Sequence, residues 1–356
     1  MKRTWHLILS FALTVAIGFM LYRSVPDWGQ AFAVMVSGKL PWFFAGLSCV
    51  ALHMLLRALR WGVLLGPVKD TIPLSNLLSL TLVKYAINVI PPRVGEIAGS
   101  LLLARKESIA ASSVIATSVF ERILDFLAVL LLFSVYLIFF AGWYPPSLEG
   151  GREIFDTVRA STIVGLAAVA LALIVLLRML HSRRWHDRVP TVIQKHVFSF
   201  VDGFRAMQSR PSAAKAIVLS LLIWLAISAQ IWCFLRAYLE VFPVAGVILI
   251  MAITVVGVAI PTPGGVGGFQ FFMNLSLIHF FRPYLSGVDA GSQAAGISNG
   301  VYVVSMIPVI LVGLVLLHRE GLSLRRATEL SAGRAGDADF CMTPREGSPP
   351  QGFRAS

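Results

Sequence analysis

Charge and cysteine are what this chain has little of. Asp, Glu, Lys and Arg make up 13% of 356 residues against 57% hydrophobic residues, and with a mean hydropathy of +0.78 that balance excludes a soluble globular domain. Of three cysteines, Cys49 and Cys233 sit inside apolar runs and Cys341 lies near the end of the chain, so there is no disulfide framework and no metal-ligand spacing. No nucleotide motif, metal set or nucleophile with its base stands out, so no cofactor and no catalytic residue is expected. The charge that remains is lopsided, with 30 Lys and Arg against 18 Asp and Glu, a net +12. Such a surplus can signal nucleic acid, but the basic residues fall mostly in short segments between apolar runs, as on the cytoplasmic side of a membrane protein. The composition predicts an all-α, polytopic helical membrane bundle with no nucleic-acid partner.

Apolar windows near 5–22, 41–60, 110–141, 160–180, 216–239 and 292–317 predict six full spans. The first follows Lys2 and Arg3 and has the small residues Ala31 and Ala33 downstream, which invites a signal-peptide reading. Its apolar length approaches the roughly 20 residues a span needs, and the small residues lie far past its end, which favours an uncleaved helix. Two further segments, 72–106 and 244–281, are interrupted by Asn88-Val-Ile-Pro-Pro-Arg93-Val-Gly-Glu96 and by Pro261-Thr-Pro-Gly-Gly-Val-Gly-Gly-Phe-Gln270. Hydrocarbon offers no partners to freed backbone groups, so such breaks persist where protein groups or a watery cavity satisfy them. Paired breaks at corresponding positions are a transporter signature. The apolar stretch Ile97 to Ala104 would rise about 12 Å as helix against a core of about 30 Å, so the first interrupted segment is expected to enter and leave on one side.

Loop charge sets the expected orientation. The segment from Arg178 to Lys215 carries eight cations, whereas 142–159 holds Arg152 and Arg159 with Glu149, Glu153 and Asp156. Placing the basic loop in the cytoplasm also puts both termini there. The first broken hairpin then opens to the cytoplasm with its tip at Pro91-Pro92, and the second opens outward with its tip at Pro261 to Gly265. These are two re-entrant hairpins related as an inverted repeat, although the halves share no residue-level similarity beyond the break. The depth of the arm Val244 to Ile260 stays open, since it either re-enters or crosses. Residues 321–356, rich in Gly, Ser, Pro and Arg, read as a disordered cytoplasmic tail after a transmembrane domain over 1–320.

Ionisable residues at membrane depth mark functional paths or structural ion pairs. Arg57 and Arg60 lie one turn apart, followed by Trp61; Lys84 and Asn88 share a helix face; Arg93 and Glu96 flank the first break, around Pro92 and Gly95. Glu121 and Asp125 are four apart with Arg122 beside them, and two carboxylates on one face call for cations that Arg57, Arg60 or Arg93 supply. Five cations (Arg57, Arg60, Lys84, Arg93, Arg122) less three anions (Glu96, Glu121, Asp125) leave a surplus of two, which suits an anionic lipid phosphate. Plainer readings stand beside this one. Arg57 and Arg60 could snorkel to the interface, Glu121 and Asp125 could bolt one span to its neighbours, and the tip could be an ordinary turn. At the second break, Pro261, Pro263, Gly264, Gly265, Gly267 and Gln270 suggest a gate. Glycines permit positive φ and close approach, and the following helix offers N–H groups to an anion, with small-residue helix packing as the alternative. Asn299 and Gln230 read as interhelical hydrogen-bond donors, and His279 as interfacial.

Taken in order over roughly residues 1–320, Arg57-x-x-Arg60-Trp61, Asn88-x-x-x-Pro92-Arg93-x-Gly95-Glu96, Glu121-Arg122-Ile-Leu-Asp125 and Pro261-x-Pro263-Gly264-Gly265-x-Gly267 resemble a family. It is the bacterial and archaeal flippase-like family that includes the transmembrane flippase region of lysylphosphatidylglycerol synthases. The resemblance implies a bacterial inner-membrane protein that moves phospholipid or lipid-linked headgroups between leaflets. The soluble aminoacyl-transferase domain of the two-part synthases has no counterpart in these residues. Two positions depart from the family: Gly99, where an Arg is frequent, and Gln270, where an acidic residue is frequent. A neutral amide does not titrate, so proton coupling is not expected at that tip. The rival expectations are a membrane-embedded lipid-headgroup transferase and an accessory protein that docks a separate lipid-modifying enzyme or glycosyltransferase through the 178–215 loop.

Overall fold

The computed structural model describes residues 15–23, 25–89, 94–140, 160, 210–260, 262–285 and 289–319. All regular structure among the described residues is helical. In chain order the helices are α1 (15–23), α2 (Trp28–Val36), α3 (Leu40–Leu65), α4 (Leu74–Ile87), α5 (Val94–Lys106), α6 (Ala111–Phe139), α7 (Arg210–Tyr238), α8 (Gly246–Ala259), α9 (Gly268–Phe280) and α10 (Ala290–Arg319), with single 3-10 turns at Pro263–Gly265 and Arg282–Tyr284. Four of them, α3, α6, α7 and α10, are long and apolar enough to cross a membrane. They match the spans expected near 41–60, 110–141, 216–239 and 292–317. The span expected near 5–22 is described only as α1. The one at 160–180, apart from residue 160, lies outside the described residues, as do most of the 178–215 segment and the 321–356 tail.

Between the long helices sit two pairs of short ones. The lengths run 26, 14, 13 and 29 residues from α3 to α6, then 29, 14, 13 and 30 from α7 to α10. At 1.5 Å per residue each short helix rises about 20 Å, less than a hydrocarbon core of about 30 Å. The second arm of the first pair is longer than its apolar stretch suggests. Glu96 in its first turn and Arg105 and Lys106 in its last complement the helix dipole, so α5 extends through polar residues at both ends.

Local chemistry fixes the connections. The Asp27 carboxylate caps α2 by accepting from the Gly29 and Gln30 N–H groups, and Asp289 does the same for Gly291 and Ser292 before α10. Between α5 and α6, Ser108 takes a positive φ of 54° and the Ile109 N–H returns to the Ala104 carbonyl. Buried Glu107 in this corner accepts from Lys69 and Asn76, both at 2.6 Å. The Lys69 ammonium and the Asn76 amide hold its carboxyl below the usual carboxylate range. That clamp ties the α3–α4 loop and the start of α4 to the end of α5.

Helix α10 packs against α2, α4 and α9 and so touches both short pairs. Its Gly313 lies against the Leu82 carbonyl and Ala86 of α4, and its Gly296 against the Ala31 carbonyl of α2, with no room for a Cβ at either. The largest buried apolar cluster joins α7, α8, α9 and α10 through residues such as Phe234, Met251, Met273 and Val301. Large apolar side chains including Phe44, Phe126, Leu311 and Val315 remain exposed, as a lipid-facing surface requires.

Candidate functional site

Helix α6 carries one polar stripe in an otherwise apolar sequence: Thr117, Glu121 and Asp125 at four-residue spacing, with Ser118 and Arg122 alongside. Asp125 lies about 21 Å along a helix about 43 Å long, near its middle. Its Oδ1 accepts from Arg60 at 2.7 Å and from the Trp224 indole at 3.2 Å. Its Oδ2 accepts from Arg57 at 3.1 Å and lies 3.4 Å from Arg122. Glu121 lies 3.6 Å from Arg60 and 3.7 Å from Lys84. Arg60 also donates to the Ser220 hydroxyl, and Lys84 to the Ser118 hydroxyl. The Lys84 ammonium sits 3.3 Å above the Trp61 ring, whose indole N–H is held by Thr117. Buried charges persist when paired, and here each has an opposite charge within 4 Å, while Arg57 Nε and Arg60 Nε and Nη2 have no hydrogen-bond partner among the described residues.

This geometry decides between the readings of the two arginines. The Arg60 side chain is 0% exposed, and both guanidinium groups turn toward α6. Snorkelling therefore fails for Arg57 and Arg60, because the two α6 carboxylates offer closer neutralisation than the interface does. The bolting role holds for Asp125, which joins α3, α6 and α7.

Toward its other end the network opens. Arg122 lies 3.5 Å from Glu96, with side chains 52% and 27% exposed. Glu96 Oε2 has no hydrogen-bond partner among the described residues. Among the described residues Arg57, Arg60, Lys84 and Arg122 face Glu96, Glu121 and Asp125, four charges against three. Pro92 and Arg93 at the first break, and Pro261 at the second, lie outside the described residues.

Each break is closed by an amide side chain. Asn88 ends α4, and its Oδ1 accepts from the Gly95 N–H at 2.8 Å across the gap. A Cβ on Gly95 would strike the Lys84 carbonyl, and one on Gly99 would strike Lys84 Cγ. The departure at Gly99 is thus what lets the Lys84 stem lie against α5. In the second break Gly264, Gly265 and Gly267 hold φ values of 62°, 74° and 86°, a region that disfavours every side chain with a Cβ. Gln270 accepts from the Gly267 N–H at 2.7 Å, so its neutral amide caps its own helix. Pro263 begins the 3-10 turn between them.

The two breaks meet. The Gly264 N–H donates to the Asn88 carbonyl at 3.4 Å, and the Tyr302 hydroxyl donates to the Gly264 carbonyl at 2.6 Å. Asn88 follows Lys84 by one helical turn, so this meeting point adjoins the charged network. Elsewhere, Gln230 on α7 is buried, as is His53 on α3, and Gln230 Oε1 has no hydrogen-bond partner among the described residues. Asn299 instead donates to the Ala295 carbonyl of its own helix, and His279 is half-buried in the last turn of α9. Sequence reasoning passed over Ser220, Trp224, Ser118 and Tyr302. The signal for the α6 and α7 residues was their four-residue spacing, Thr117 to Asp125 and Ser220 to Trp224.

An all-helical membrane protein, with a buried ion-pair network among its long spans and two broken segments in contact, is the class that fold and site define. The family model for the lysylphosphatidylglycerol synthase transmembrane region matches residues 7–325, and the chain belongs to that family. The match spans the whole network and both breaks. Comparison with curated proteins finds no match.

Proposed function

We propose that the protein moves an anionic phospholipid or lipid-linked headgroup between leaflets. The observation that supports this reading best is the open end of the network, where half-exposed Arg122 is shared between Glu96 and Asp125 close to the meeting point of the two breaks. Arg57, Arg60 and Lys84 are enclosed and hold the helices together, so the ligand-facing cation among the described residues is Arg122. A phosphate oxygen at Arg122 takes the place of Glu96 and gains a charge-assisted hydrogen bond. The enclosed carboxylates keep the cations in position before lipid arrives.

In this reading α4–α5 and α8–α9 are re-entrant hairpins from opposite leaflets, and the repeated order of long and short helices is an inverted repeat. Rocking of one half against the other exposes the site to each side in turn. The chain sits in the bacterial inner membrane with both termini and the 178–215 segment in the cytoplasm, and it changes no covalent bond. The test is leaflet exchange of labelled phosphatidylglycerol in vesicles reconstituted with wild type, Arg122→Ala or Gly265→Leu. Arg122→Ala is expected to slow exchange about tenfold or more, the worth of one hydrogen bond to a charged group, with little change in thermal stability because an exposed ion pair contributes at most about 1 kcal/mol. Equal exchange by all three proteins, or a new covalent lipid product, overturns the reading.

A further inference from the structure

Among the described residues the contact between the two breaks contains no charge. Its direct link, Gly264 N–H to the Asn88 carbonyl, is long at 3.4 Å, whereas Tyr302 holds the carbonyl of the same glycine at 2.6 Å. Gly264 therefore presents its two backbone groups to different partners, one to the first break and one to α10. The positive φ of 62° makes that presentation accessible to glycine. Around the neighbouring Gly265 nothing among the described residues lies within 4 Å of a Cβ position. The Tyr302 ring rests on Phe269 of α9 with centroids 5.8 Å apart, so removing the hydroxyl leaves the ring's packing in place.

Helix α10 has a second relevant feature. Its Tyr302 engages the second break, its Gly313 packs on α4 beside the first, and Pro308 lies between them inside the helix. Proline supplies no N–H to the Val304 carbonyl and crowds it, which is a standard origin of helix bending. The two halves of α10 thus belong to different short pairs and join at a weakened point.

We propose that Tyr302 is a positioning residue that latches the gate: its hydroxyl holds the second break against Asn88, and release of this hydrogen bond, with α10 bending at Pro308, parts the two breaks. The latch deepens the transport reading, since the gate it closes is the one that reading requires, but its closing action is measurable without any lipid movement.

The experiment uses full-length protein in phospholipid vesicles, with Cys49, Cys233 and Cys341 replaced by alanine and nitroxide labels on Val89→Cys and Val266→Cys, one at each break. Dipolar broadening reports the fraction of molecules with the breaks apart. Tyr302→Phe is expected to raise the ratio of parted to joined molecules about three- to tenfold, the range for one neutral hydrogen bond, and Pro308→Ala to lower it. Labels on Val256→Cys and Leu275→Cys, both within the second pair, are expected to report an unchanged distance. An unchanged ratio in Tyr302→Phe overturns the latch. So does a parallel change at the control pair, which would mean general loosening. A shifted ratio in a protein that exchanges no lipid supports the latch and discards the transport reading, so the two fail separately.

Discussion

Residues 74–106 break around charge and residues 246–280 break around glycine, yet the two pairs of short helices are built to the same lengths. The first pair carries Lys84, Glu96, Arg105 and Lys106, whereas α8 and α9 contain no Asp, Glu, Lys or Arg. In both, an amide oxygen takes a backbone N–H near the start of the second arm, Asn88 for Gly95 and Gln270 for Gly267. In both, glycine lets the arms approach: Gly95 and Gly99 around Lys84, Gly257 and Gly268 backbone to backbone. The difference teaches that break geometry and charge are separate devices. Amides and glycines make the break, and ion pairing is added on one side only. The first pair is pinned to α6 through Lys84 and Glu96; the contacts of the second break seen among the described residues are neutral hydrogen bonds and packing.

The sharpest way to break that contrast is Glu121→Gln. It strips a charge from a site where Arg60 and Lys84 are enclosed, and losing one partner of a buried ion pair costs about 3–5 kcal/mol. A large fall in the thermal midpoint in detergent is expected, and an unchanged midpoint means the first pair is not pinned by charge. Next come Gly95→Leu and Gly257→Leu, each forced against backbone and each expected to destabilise by about 1–3 kcal/mol. A loss at only one would show that close approach is not common to both pairs. Smaller still are Asn88→Ala and Gln270→Ala, about 1 kcal/mol apiece as lost caps, read as equal shifts in chemical denaturation. The smallest effect is one of pH. Because the Glu107 carboxyl is depressed when folded, its clamp contributes fully above the ordinary carboxylate range and loses that contribution as pH falls through the folded value. Thermal midpoints measured downward from pH 7 should dip on acidification in wild type and dip less in Glu107→Gln.

Much of this was legible in the sequence because hydrophobic length and proline-glycine punctuation are local signals. Four long helices fall within a few residues of their expected places, and Glu121 with Asp125 announced a need for cations that Arg57 and Arg60 meet. What escaped was carried by uncharged residues distant in sequence. Trp224 and Ser220 lie in an apolar run whose pattern records burial but not the neighbour, and Tyr302 meets Gly264 only through the packing of α10 on α9. The snorkelling alternative failed for a related reason: position along one helix says how far the interface is, and nothing about a closer carboxylate on another. The Asn299 amide N–H instead satisfies the Ala295 carbonyl of its own helix, one turn back.

The order in which the network's members are synthesised has a consequence for biogenesis. Arg57 and Arg60 precede Asp125 by 68 and 65 residues, and Trp224 follows it by 99. While the nascent chain grows, α3 carries two guanidinium groups with no counter-ion until α6 emerges, and an isolated arginine in mid-bilayer is strongly disfavoured. The stability of α3 in lipid therefore depends on α6 lying beside it.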